Sequence, residues 1–200
     1  MPGLPKLIME HASETSEGTL LCPNALLHLG TRSAVDQALS RLARNGRLMR
    51  ICQGMYARPV ETRFGFRPPA VEKVVMSLSV LTGETIVPCG GAFANALGFT
   101  TQVPVRSVYL TSGPDRCLKF GELRVELRHS PSWQLVAPHR KGGDTIRALV
   151  WLGPREVEEH VGMIKNKLSA EDRRELLTLR AAMPTWMAEP VSRMITDNAG

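Results

Sequence analysis

Residues 31–60 read TRSAVDQALSRLARNGRLMRICQGMYARPV, and the fold of the first third of the chain turns on this stretch. Ala34, Val35, Ala38, Leu39, Leu42 and Ala43 step by one and three, which lays an apolar stripe along one face of a 3.6-residue helix. Ser33 and Asp36 have capping-box spacing, and Gly46 stands where a helix C-cap belongs, so the pattern predicts a helix over Ser33–Asn45. Its opposite stripe holds Ser33, Gln37, Ser40 and Arg44, flanked by Arg41. These are hydrogen-bonding side chains of the kinds that read base edges and contact phosphates.

The flanks extend the pattern on both sides. Pro23–Leu29 reads as a short helix with proline in its first turn, and Gly30-Thr31-Arg32 as a three-residue turn, which together make a helix-turn-helix. After Gly46, Arg47–Ile51 and Met55–Arg58 are strand-like runs joined by Cys52-Gln53-Gly54, a β-hairpin placed as a wing. Leu4–Ser13 is expected to add a helix, and Thr19–Leu21 an edge strand. Pro68-Pro69, after Phe64-Gly65-Phe66-Arg67, should stop any regular element. The expected organisation is α+β: a winged helix-turn-helix domain over 1–66, then a mixed α/β domain over 67–200 that ends in several helices.

Charge follows the same division. Residues 31–67 carry Arg32, Arg41, Arg44, Arg47, Arg50, Arg58, Arg63 and Arg67 against Asp36 and Glu61, a net of +6, which equals the net charge of the whole chain. All of that positive charge is arginine, whose planar fork suits phosphate and guanine edges. On this basis Thr31, Arg32, Ser33, Gln37, Ser40, Arg41 and Arg44 are expected to enter the major groove of double-stranded DNA or clamp its phosphates. Arg47, Arg50, Gln53 and Arg58 would serve the wing.

Residues 67–200 offer less chemistry. Helices are expected over Ala70–Leu81, Gly91–Leu97, Asp144–Leu152, Pro154–Leu168, from Ser169 to about Met183 on a second capping-box match, and over Thr185–Ile195. Strands are expected at Glu84–Pro88, Val105–Thr111 and Leu123–Arg128. The five histidines lack zinc-binding spacing, and no phosphate-binding lysine loop or nucleophile elbow is present. Gly90-Gly91 reads as a tight turn in preference to an anion cradle. Trp133, Trp151 and Trp186 read as core. No cofactor, metal ligand or catalytic residue is expected.

One pattern supports an enzymatic alternative. Pro114-Asp115 followed by Glu126-Leu127-Arg128 resembles a metal-dependent nuclease signature in which two carboxylates hold the ion. Arg128, however, stands where that signature has lysine, and Asp115 sits in ordinary turn sequence. Cys22, Cys52, Cys89 and Cys117 are about 28 to 37 residues apart, which argues for reduced thiols and a cytoplasmic protein. No apolar run is long enough for a membrane span.

GTLLCPNALLHLGTRSAVDQALSRLARNGRLMRICQGMYARP resembles the winged-helix region of AbiEi-type antitoxins, the regulators of bacterial type IV toxin–antitoxin pairs. ETIVPCGGAFANALGF, TTQVPVRSVYLTSGPDR and VELRHSP are similar to the C-terminal domain of compact AbiEi-like regulators. The resemblance runs from about Gly18 to His129. It implies a repressor that binds inverted repeats upstream of its own operon, as a dimer on DNA, and opposes a cognate nucleotidyltransferase-type toxin. It places the recognition helix at Ser33–Asn45 and the wing at Arg47–Arg58. The alternatives are a metal-dependent nuclease delivered by the winged helix, and a plain winged-helix transcription factor without a toxin.

Overall fold

The computed structural model describes residues 3–101 and 107–196. The first residues of the strand expected at Val105–Thr111 lie outside them. The chain is mixed α/β and divides into two compact units. One comprises residues 1–84 with 116–126, the other 85–115 with 127–200.

In the first unit, α1 (Leu4–Glu14) begins with proline in its first turn and buries Ile8 and Ala12, one helical turn apart. Pro23–Leu26 forms a single 3-10 turn where the sequence predicts a longer helix. With Leu27, His28 and the following residues exposed or half-buried, no apolar face remains to carry a further turn. Next comes α2 (Arg32–Arg44), which buries Val35, Ala38, Leu39 and Leu42. Each large aliphatic side chain sealed this way contributes roughly 1.5–3 kcal/mol. The expected Ser33–Asp36 capping box does not form. Thr31 is the N-cap residue, so Ser33 is already the second residue of the helix, and Asp36 accepts a hydrogen bond from Arg32 Nε at 2.9 Å. The other end follows the sequence. Gly46 takes a φ of +68°, while the Gly46 and Arg47 N–H groups donate back to Ala43 O (3.1 Å) and Leu42 O (2.9 Å), a Schellman closure.

Strands β1 (Met49–Cys52) and β2 (Met55–Ala57) form an antiparallel hairpin with Met49 opposite Ala57 and Arg50 opposite Tyr56. Leu21 bridges Tyr56 through two backbone hydrogen bonds of 2.7 and 2.9 Å, the vestige of the edge strand expected at Thr19–Leu21. A buried cluster including Ile8, Leu21, Leu26, Leu39, Leu48 and Tyr56 joins these pieces.

A second antiparallel hairpin follows, β3 (Val60–Thr62) and β4 (Gly65–Arg67), where the sequence reading places only a boundary. Helix α3 (Val71–Thr82) then belongs to the first unit, although the sequence reading divides the chain at 66/67. The reason is local. Leu20 N donates to Ser77 Oγ at 2.9 Å, and Glu17 accepts from Arg67 NH1 (3.0 Å), Ala70 N (3.0 Å) and Lys73 Nζ (2.7 Å). Those bonds, the Lys73 ammonium foremost, hold the Glu17 carboxyl at about 2 against an ordinary 4.5. Pro68-Pro69 interrupts the secondary structure without ending the unit.

In the second unit, β5 (Ile86–Pro88) pairs antiparallel with β6 (Ser107–Thr111), and α4 (Gly91–Ala96) lies between them in sequence. Strands β7 (Arg116–Phe120) and β8 (Leu123–His129), the latter as far as Glu126, belong to the first unit. The chain passes from one unit to the other within β8. β7 is not expected from the sequence. Its inward residues, Leu118 and Phe120, are only two positions in a strand that follows directly on a Gly-Pro-Asp turn.

Helix α5 (Lys141–Leu152) is buried along most of its length. The continuous helix expected over Pro154–Leu168 is instead two, α6 (Pro154–Glu159) and α7 (Val161–Lys167), broken at His160 with φ −116° and ψ 17°. Ser169 and Asp172 make the expected capping box at the start of α8 (Ala170–Leu179). The last helix, α9 (Thr185–Thr196), buries Met187 and Val191, and Trp133, Trp151 and Trp186 pack against the same core. Among the described residues, no helix is long and apolar enough to cross a membrane.

Candidate nucleic-acid interface

The buried side chains of α2 fix which of its residues can meet a ligand. Val35, Ala38, Leu39 and Leu42 point inward, so at about 100° per residue Ser33, Gln37, Ser40 and Arg44 fall on the opposite side, with Arg41 beside them. Ser33, Gln37, Arg41 and Arg44 are exposed; Ser40 is half-buried, 3.5 Å from Arg44 NH2. The helix therefore presents two arginines, an amide and two hydroxyls along one outer face. Arginine and glutamine can each make paired bonds to a base edge, to guanine and adenine respectively.

Thr31 and Arg32 lie at the N-terminal end of α2, Arg32 on the flank of its buried stripe. Arg32 is braced, because its NH1 donates to Asn24 Oδ1 at 2.7 Å in addition to its bond to Asp36. That fork ties the 3-10 turn to α2 and spends donors a phosphate would otherwise use. Arg50 is exposed on β1, and Gln53 is exposed in the turn between β1 and β2. Arg47 and Arg58 lie elsewhere. Both line a groove of about 560 Å³ along α1 with Lys6, Met9, Glu10 and Leu42, and Leu42 belongs to the inward face of α2. Seven of the expected residues thus gather along α2, two lie on the β1–β2 hairpin, and two turn towards α1.

Cys52, at the end of β1, has its thiol pushed up by burial, against the opposing pull of Arg116 and Arg50. Burial therefore disfavours the thiolate form at Cys52.

The carboxylates of the enzymatic alternative have structural positions. Asp115 Oδ1 accepts the His129 N–H at 2.6 Å, and His129 Nδ1 lies 2.9 Å from Gly113 O, which closes the turn onto the end of β8. Glu126 is half-buried on the side of β8 opposite the buried Val125 and Leu127. At Gly90 the reason for glycine is close approach. A Cβ there would stand 1.9 Å from Arg147 O, so the backbone of α5 fills the space a side chain would need. Glu156, Glu159 and His160 come within 4.8 Å of one another, but all three are exposed and Arg155 Nε already holds Glu159 at 2.9 Å.

The sequence reading passes over the β3–β4 hairpin. Its tip is Arg63-Phe64, with Thr62 opposite Gly65 and Glu61 opposite Phe66. Thr62 Oγ1 donates to Gly65 O (2.8 Å) and accepts from Phe64 N (3.2 Å), which fixes the turn. Phe64 and Phe66 are 86% and 74% exposed, and the Arg63 guanidinium lies 4.6 Å from the Phe64 ring centroid. The signal available in the sequence was the run of charged and aromatic residues around one glycine, RFGFR.

The family of unknown function DUF6088 matches residues 7–176, and the chain belongs to it. No curated protein and no solved structure matches the chain.

Proposed function

We propose that this DUF6088 member is a sequence-specific DNA-binding repressor of its own operon, built on an N-terminal winged helix-turn-helix. The observation that carries the reading is the outer face of α2, where Gln37, Arg41 and Arg44 stand opposite the helix's buried stripe. The order of elements supports it: α1, a 3-10 turn in place of the first helix of the motif, α2, then a β-hairpin bridged by Leu21, with arginine on both α2 and the hairpin. In this role α2 enters the major groove, Arg41 fixes its register on phosphates, Arg32 braces the start of the helix, and Arg50 and Gln53 contact the flanking backbone. Arg47 and Arg58, along α1, contribute long-range attraction.

Resemblance to AbiEi-type regulators supports a second role for the same chain, as the antitoxin that opposes a nucleotidyltransferase-type toxin encoded beside it. Co-expression tests that role: a toxic neighbouring gene should be neutralised by this protein.

The DNA reading is tested by a salt series on the full-length protein, with the duplex upstream of its own gene against a scrambled duplex. Binding to the upstream DNA should be at least about a thousandfold tighter than to the scrambled sequence at physiological salt. Weak binding that is equal on both duplexes and lost at moderate salt would reduce the arginines to a charged surface and sink the proposal.

A further inference from the structure

Beyond the α2 face, we propose that the β3–β4 hairpin is a second DNA-contacting element that inserts the Phe64 ring, with Phe66 beside it, between base pairs of the bound duplex. The proposal rests on the DNA-binding reading and adds an element and a mode of contact to it. Two large aromatic rings, 86% and 74% exposed, on one eight-residue hairpin, Phe64 in its turn and Phe66 in β4, are costly unless something covers them.

The charge around the rings says what covers them. Arg63 is stacked over the Phe64 ring itself and no carboxylate among the described residues pairs with it, whereas Arg58 turns towards α1 and Arg67 is held by Glu17. A purely apolar protein groove would have to desolvate the guanidinium. The edge of a base step offers both halves at once: π-faces for the ring and a flanking phosphate for the arginine.

The hairpin is also stiff enough to act as a wedge. Thr62 pins the turn from both sides, and Arg67 at the base of β4 is held by Glu17, which Lys73 and the Ala70 N–H hold in turn. Phenylalanine loses little conformational freedom when it becomes ordered, so a preset ring binds with little entropic cost.

The experiment uses full-length protein and the upstream duplex, with fluorophores at both DNA ends to read bending and permanganate to report unstacked thymines. Wild type is expected to bend the DNA and create one hyper-reactive step. The double variant Phe64→Ala/Phe66→Ala should lose both signals and bind about tenfold more weakly. Phe64→Tyr and Phe64→Leu, which keep a ring or an apolar wedge, should retain them, whereas Phe64→Ser should not. A double variant that binds and bends like wild type overturns the proposal and leaves the role of α2 standing. An unchanged DNA affinity with loss of a wild-type dimer in sedimentation overturns it in favour of self-association. Absence of DNA binding by wild type removes both readings together.

Discussion

Replacing Gly18 with alanine tests how the loop after α1 is seated. Gly18 has a φ of +84°, and a Cβ there would lie 2.5 Å from Lys73 Cβ, 2.9 Å from Lys73 C and 3.0 Å from Val74 N. Two of those three atoms are backbone of α3 and cannot swing aside. Gly46 supplies the control, because its φ of +68° is similar and nothing lies within 4 Å of its Cβ position. The left-handed conformation costs an alanine roughly 1–2 kcal/mol, and Gly46→Ala should lose only that. Forcing a methyl into packed backbone adds about 1–3 kcal/mol, so Gly18→Ala should lose roughly 2–5 kcal/mol. Alanine restricts the unfolded chain equally in both variants, so that contribution cancels in the comparison. Trp133, Trp151 and Trp186 all belong to the second unit, so their fluorescence in urea serves as an internal reference. The first unit is followed by amide hydrogen exchange at Leu21 and Tyr56, whose N–H groups are bonded to each other's carbonyls. Equal losses in the two variants would refute the reasoning and mean that residues 15–19 are not clamped against α3.

Three further outcomes follow from geometry. Glu17 titrates at about 2 when folded and near 4.5 when unfolded, so its ion pairs stabilise the protein above pH 4.5, and that stabilisation disappears as pH falls towards 2. Glu17→Gln should therefore be less stable than wild type at neutral pH and converge with it in strong acid; a urea midpoint gap that stays constant with pH would contradict this. Arg147 is buried, donates to Gln134 O, Val136 O and Asp144 Oδ1, and has an Nε with no acceptor among the described residues. Arg147→Met strands those acceptors and should cost about 3 kcal/mol, the low end for a broken buried pair because the Asp144 side chain keeps 28% exposure; an unchanged tryptophan-detected midpoint would disprove it. Arg44→Ala should lose roughly 1–3 kcal/mol on the upstream DNA and little on scrambled DNA, and a loss equal on both would make Arg44 a phosphate contact.

What the sequence revealed depended on how much of each element is buried. Helix α2 was legible because four residues at helical spacing are buried and a glycine ends it. The β3–β4 hairpin was not, because its residues are exposed or half-buried and three-residue strands have no room for an alternating pattern. The break at His160 was hidden by apolar spacing that continues through Val157, Val161 and Ile164. Of the candidate site, the α2 stripe followed from periodicity. The turning of Arg47 and Arg58 towards α1 did not, because both lie outside helices and strands, where spacing sets no direction. Arg147 in an apolar helix gave no sign of being interior, since burial of an arginine depends on carbonyls supplied by distant residues.

The division of the chain also has a consequence for its biosynthesis. The first unit is discontinuous: residues 116–126 belong to it, and β7 packs near β1 although more than sixty residues separate them. A ribosome that has released residue 84 must add 42 more before the last piece of that unit exists at Glu126, a delay of about 2–8 s at 5–20 residues per second. Until Phe120 is added the nascent chain holds α1, α2 and both small hairpins without a complete β7. Until β7 arrives, the side of β1 that it packs against stands open on the nascent chain, a natural early site for a chaperone.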